Sequence, residues 1–300
     1  MRTLLRHSAM VAILISATTL CATAQFGAGA ASQTPAAREA VARATAAKIE
    51  QAAAQPTPKG PNGHPDLAGY WAPATGGNEG VFGPQRSLDL TGKQAVTFIT
   101  EDDEINGDAV APKARWANKS LRPMYKPEFA KKQEEEFFRA DYLDPSFGCQ
   151  PEGVPRVGAP TEILVTPAAV VFLYQHRNVY RVIPTDGRAH DKNADAMAMG
   201  DSIGYWEGDT FVVDVRNFSP DTWIDHDGSW HDDNLHVTET FTRKGNTLIY
   251  VVKMEDPTLF AEPFTAKPAT LIPGAPGKHA DEDYPCVEQD QAHFVGTERH

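Results

Sequence analysis

From residue 160 to residue 254 the chain runs as short β-branched and aromatic stretches separated by turn residues, a pattern that leaves few folds open. EILVT, AAVVFLYQ and NVYRVIP come first, broken by Pro167 and by His176-Arg177-Asn178. SIGYWEGDTFVVDVRNF and LHVTETFTRKGNTLIYVVKM follow, each divided by a turn signal, Glu207-Gly208-Asp209 in one and Lys244-Gly245-Asn246 in the other. Both turns contain a glycine that can adopt positive φ, as tight hairpin connections require. Consecutive hairpins make an antiparallel meander, and closing it removes its exposed edges. The expectation is therefore a mainly β chain, an antiparallel meander closing into a lipocalin-like barrel with a few peripheral helices. One such helix is expected in KPEFAKKQEEEFFRADYL, opening just after Pro127, with Phe129, Phe137 and Phe138 on its docking side.

The N-terminus reads as a leader. Arg2 and Arg6 precede an apolar stretch from Met10 to Leu20, and Ala22-Thr23-Ala24 supplies a small-x-small cleavage signal. Residues 1–24 are expected to be a signal peptide, residues 25–60 an Ala/Gln/Pro-rich tether or loosely docked helix, and residues 61–300 a single β-rich domain. The location implied is periplasmic or secreted. No later stretch is long and apolar enough to cross a bilayer. Beyond the leader two cysteines remain, Cys149 and Cys286, and in an oxidising compartment they favour a disulfide that pins the C-terminal segment to the middle of the chain. A net charge of -12 argues against nucleic acid or an anionic membrane surface as partner. The partner expected is a small-molecule ligand or substrate, and nothing in the sequence names a cofactor.

Strand periodicity singles out two charges. In NVYRVI, Val179, Arg181 and Ile183 share one face; in LHVTETF, Leu235, Val237, Glu239 and Phe241 do. With the apolar faces inward, Arg181 and Glu239 both enter the barrel, where a lone charge would be very costly. Each needs the other, a network or a ligand. Two readings stay open: an internal salt bridge that fixes register, or the polar floor of an otherwise apolar ligand cavity. Tyr205 and Trp206, in the same barrel wall, join Arg181 and Glu239 as candidate ligand contacts.

Ionisable residues also collect near strand ends. TDGRAH places Asp186, Arg188 and His190 just after a strand, and DHDGSWHDDNLH, residues 225–236, carries His226, His231 and His236 among aspartates. Asp225-His226-Asp227 begins like an acidic calcium loop but lacks the third acidic position and the distant glutamate, so it is expected to be a solvated turn before Gly228. No HxxxH or HExxH spacing supports a helical zinc site. Ser202, in GDSIG, precedes another strand and lacks the strand-to-helix setting of a nucleophile elbow. His236 falls on the strand face opposite Glu239. An enzymatic alternative to ligand binding is a lyase, isomerase or hydrolase with His190 and His231 as acid and base and Arg188 or Arg181 stabilising an anion. A further alternative is a metal site with His190, His231 and either Asp186 or Asp225 as ligands.

Six blocks then align in order with a known pattern: GHPDLAGYW, CQPEGVPR, YRVIPTDGRAH, MGDSIGYWEGDTFVVDV, GSWHDDNLHVTETFTR and MEDPTLFAEPF. Across roughly residues 60–290 the chain resembles a large family of bacterial exported proteins. The match sets Cys149, Arg156, Arg181, Asp186, Arg188, His190, Ser202, Trp206, Asp214, His231 and Glu239 at pattern positions. It departs at Asp232, Thr240, Phe264 and Val215, and Thr240 removes a cation usual beside Glu239. The resemblance implies an exported β-rich domain and brings no activity with it.

Overall fold

A computed structural model describes residues 35–74, 116–283 and 285–286. The expected leader, the first part of the tether and the acidic stretch at 101–104 lie outside these residues.

Among the described residues, ten strands form one antiparallel sheet: β1 (Gly69–Pro73), β2 (Glu162–Val165), β3 (Ala169–Tyr174), β4 (Val179–Pro184), β5 (Asp201–Glu207), β6 (Thr210–Arg216), β7 (His236–Lys244), β8 (Thr247–Glu255), β9 (Phe264–Thr265) and β10 (Ala269–Pro273). The order β4-β3-β2-β1-β10-β8-β7-β6-β5, with short β9 on β8, makes two meanders joined where the first and last strands pair. The end strands β4 and β5 then lie side by side, and the sheet is a nearly closed barrel. This is the architecture the alternating pattern called for. Gly208 (φ 60) and Gly245 (φ 57) occupy the two hairpin turns with the positive φ that a β-carbon disfavours.

Alternation fills the barrel. Val170, Phe172 and Tyr174 of β3, Phe211, Val213 and Val215 of β6, Val237 and Phe241 of β7, and Leu248, Tyr250, Val252 and Met254 of β8 are buried in one cluster. Phe172 of β3 meets Phe241 of β7 across the interior at 4.9 Å, and Phe241 stacks on its cross-strand neighbour Tyr250 at 4.8 Å. Gly204 of β5 makes room for this packing, since a β-carbon there would stand 2.6 Å from Phe211 Cζ and 2.8 Å from Ile183 Cγ2.

Non-barrel segments cover both ends. Helix α1 (Pro35–Ala53) has few large apolar residues and docks through Ile49, which packs with Ala74 and Ile272. Just after it the chain seats on both hairpin turns: Thr57 Oγ1 accepts from the Gly245 amide at 2.8 Å, Lys59 meets Asp209 at 2.9 Å, and His64 Nδ1 meets the Gly208 carbonyl at 3.1 Å. Contacts with the barrel thus begin well before residue 61. At the other end sit the β6–β7 connection and helix α2 (Ala130–Phe138), which follows a short 3-10 turn at Pro127–Phe129 and buries Phe137 completely.

Cys149 and Cys286 form the expected disulfide, with Cα atoms 5.7 Å apart across a separation of 137 residues. Hydrogen bonds from the Arg177 amide to Asp283 Oδ2 (3.0 Å) and from the Asp283 amide to Asn178 Oδ1 (2.7 Å) hold the same C-terminal segment. Closing so long a loop removes much entropy from the unfolded chain. Replacing both cysteines by serine should lower the unfolding free energy by about 4–5 kcal/mol at most, read from urea denaturation; an unchanged midpoint would show that the hydrogen bonds alone hold the segment.

Candidate ligand site

Arg181 and Glu239 do enter the barrel, and they meet. Arg181 Nη1 lies 2.7 Å from Glu239 Oε2, with the two side chains 3% and 0% exposed. Three hydroxyls complete the group. Arg181 Nη1 donates to Tyr174 Oη at 3.0 Å, Arg181 Nη2 to Ser202 Oγ at 2.8 Å, and Tyr250 Oη to Glu239 Oε1 at 2.7 Å. The ion-pair contact at Oε2 is close but outside hydrogen-bond alignment, and Arg181 Nε has no hydrogen-bond acceptor among the described residues. Arg181 draws on β4 and Ser202 on β5, so one of these bonds spans the seam between the two end strands.

Electrostatics follow from burial. Desolvation works against the Arg181 charge, but the adjacent Glu239 carboxylate outweighs it and raises the guanidinium above its ordinary value. Tyr174 and Tyr250 are both pushed up, first by burial and then, among other influences, by Glu239, so both remain phenols and can donate. The group is a compact, neutral pair of opposite charges ringed by hydroxyls inside an aromatic interior.

The other residues singled out by the sequence do not join it. Trp206 is half-buried on the inward side of β5, stacked on His64 at 4.4 Å, whereas Tyr205 is 42% exposed on the outer face. Asp186 and Arg188 pair with each other at 2.6 Å on the surface. His190 lies against the outer wall. Its Nδ1 is 2.7 Å from Asp201 Oδ2 and its Nε2 2.7 Å from Asp214 Oδ1. His236, on the face opposite Glu239 as its register demands, shares Asp214 at 2.9 Å. Burial alone would raise Asp214, but the hydrogen bonds from His236 and His190 and the charge of Arg216 outweigh it and hold this carboxyl well below the usual range.

His231 is buried in the β6–β7 connection. Its Nδ1 meets the Asp232 carbonyl at 3.0 Å and its Nε2 the Thr222 hydroxyl at 2.9 Å. Burial lowers its pKa; Nδ1 donates to the Asp232 carbonyl, while the Thr222 hydroxyl beside Nε2 also donates to the Ser219 carbonyl at 3.1 Å. His190 and His231 therefore have separate partners. Among the described residues, no group of three or more His, Cys, Asp or Glu side chains is arranged to hold a metal ion.

One expectation is corrected. Asp225-His226-Asp227 is a turn before Gly228 (φ 79), but it is not solvated: Asp225 is 1% and Asp227 6% exposed. Trp223 and Ile224 on one side and Trp230 on the other draw the loop inward, and Trp223 bridges Trp230. Asp225 Oδ1 accepts from the amides of Asp227 (2.8 Å) and Ser229 (2.9 Å). Burial, and next the charge of Asp227, raises the Asp225 pKa. Beside it stands a second ionic group. Arg156 grips Asp144 through two bonds of 2.8 and 2.6 Å and donates to His226 Nδ1 at 3.1 Å, while Glu152 reaches His176 at 3.1 Å. Sequence reading missed Asp144 and Glu152 because their partners are distant in the chain. It missed Tyr174 and Tyr250 although both occupy inward positions of their strands.

Comparison with family models, curated proteins and solved structures gives no match. The site therefore has to be interpreted from its own chemistry.

Two outcomes test this description. Arg181→Met leaves a buried carboxylate without its cation and should cost about 3–5 kcal/mol in urea unfolding. Adding Glu239→Leu should recover much of that loss, whereas strict additivity would show that the pair does not interact. The second concerns acid. His226 is lowered from 6.5 to about 4, first by burial and then by the Arg156 charge. The unfolded chain thus binds this proton at higher pH than the folded one, and the associated stability is present above 6.5 and falls away as pH drops toward 4. His226→Gln should flatten that part of the stability-against-pH curve; an unaltered slope would assign it to the carboxylates.

Proposed function

We propose that the chain is an exported binding protein whose barrel takes a small, largely apolar molecule, oriented by Arg181, Glu239 and the hydroxyls around them. The observation that carries this is the buried polar group itself. Five polar side chains, Arg181, Glu239, Tyr174, Tyr250 and Ser202, occupy an interior otherwise built from aromatic and aliphatic rows. Apolar residues of similar volume in such positions often hold a fold as well or better, so stability alone gives little reason to place an ion pair there. A few convergent polar groups within an apolar lining are what a small-molecule site requires for orientation. Export fits the Cys149–Cys286 disulfide, which persists in oxidising compartments. Among the described residues no helix is long and apolar enough to cross a membrane.

Native mass spectrometry of the full chain, purified without denaturation and incubated with an extract of its own periplasm, tests this reading. A bound species of constant mass is expected, retained by the native chain and lost from a folded Arg181→Met variant. If no adduct forms, or if the adduct survives that substitution unchanged, this site is not where ligand binds.

A further inference from the structure

The hydrogen-bond inventory inside the barrel reaches beyond the presence of a ligand to its chemical class. Arg181 spends Nη1 on Tyr174 Oη and Nη2 on Ser202 Oγ, and both oxygens act as acceptors in those bonds. The hydroxyl protons of Tyr174 and Ser202 are therefore not used by either contact. Arg181 Nε–H is buried with no acceptor among the described residues. The donors left over are the Nε–H, the second N–H of Nη2 and the two O–H groups, all carried by residues less than 8% exposed, at 4%, 3% and 7% for Arg181, Tyr174 and Ser202. Glu239 Oε1 is taken by Tyr250, and its Oε2 is 2.7 Å from the guanidinium. The site's charge is already balanced, one cation against one anion, while its remaining capacity is mainly to donate.

We infer that the ligand is a neutral apolar molecule carrying a carbonyl oxygen, such as a ketone or an ester, and that the barrel discriminates against the corresponding carboxylate. The inference rests on the binding reading above. A carbonyl oxygen accepts from Arg181 Nε, Ser202 or Tyr174 and disturbs no existing charge. A carboxylate would bring a second anion beside the buried Glu239, with one guanidinium for both, and burying an uncompensated charge is costly. A protonated amine would meet Arg181 itself. A plain hydrocarbon would leave the buried Nε–H without the acceptor a carbonyl supplies.

The experiment titrates the full chain with methyl octyl ketone, decanoate and decane at neutral pH, followed by native mass spectrometry. The three probes have equal carbon counts. The ketone should bind more tightly than decanoate by on the order of a hundredfold and more tightly than decane by about tenfold. Ser202→Ala, checked for folding by circular dichroism, should narrow the preference for ketone over decane. Decanoate binding as tightly as the ketone would overturn the ligand class while leaving a binding barrel in place. Equal affinity for ketone and decane, or a Ser202→Ala variant with an unchanged preference, would show that the polar group does not read the ligand and would also overturn it. If none of the three binds, the binding reading itself fails, and this inference with it.

Discussion

The contact between Arg181 and Glu239 organises the barrel interior. It ties an end strand, β4, to β7 through the middle of the molecule, and the same guanidinium reaches Ser202 on β5. β4 and β5 are the two ends of the sheet order, so this side chain spans the seam that the ladders leave. It also fixes register. Side chains alternate along a strand, so a one-residue slip of β4 would carry Arg181 to the outer face and Tyr180 and Val182 inward. Glu239 would then be buried without its cation. An apolar core alone penalises such a slip less sharply.

Polar chemistry elsewhere falls into separate groups, each doing a different job. On the outer wall, Asp214 is shared by His190 and His236, which anchors the residue-190 region, between β4 and β5, against β5 and β6. In the cap over one end, Arg156 binds Asp144 and His226, and Glu152 leads out to His176 at the surface. The disulfide and Asp283 bring the C-terminal segment to the same region. The barrel-interior group sits among the aromatic and aliphatic rows of the strands themselves. That setting, more than any single residue, directs the functional reading to Arg181 and its neighbours.

The strand content, the two hairpin centres and the inward direction of Arg181 and Glu239 were all legible in the sequence. They are local properties: period-two alternation, and glycine where φ must be positive. The same rule correctly turned His236 away from Glu239. It did not single out Tyr174 and Tyr250, because an inward tyrosine looks like ordinary core until its hydroxyl has a partner. The loop at 225–229 misled for the opposite reason. Asp-His-Asp-Gly has the composition of a solvated turn, and its burial depends on Trp223, Ile224 and Trp230 finding a surface to pack on, which includes helix α2 about ninety residues earlier.

By itself, the sequence determined that this chain makes an antiparallel meander with two charges pointing into its interior and two cysteines suited to bridging. Only the tertiary structure decided that these charges face each other, that His190 lies outside the barrel while His231 is enclosed in a connection, and that the three polar groups are distinct. The physical reason is one of range. Periodicity and turn chemistry act over a few residues and fix which way a side chain points. Which partner it meets depends on how strands nearly sixty residues apart, as Arg181 and Glu239 are, come together when the barrel closes.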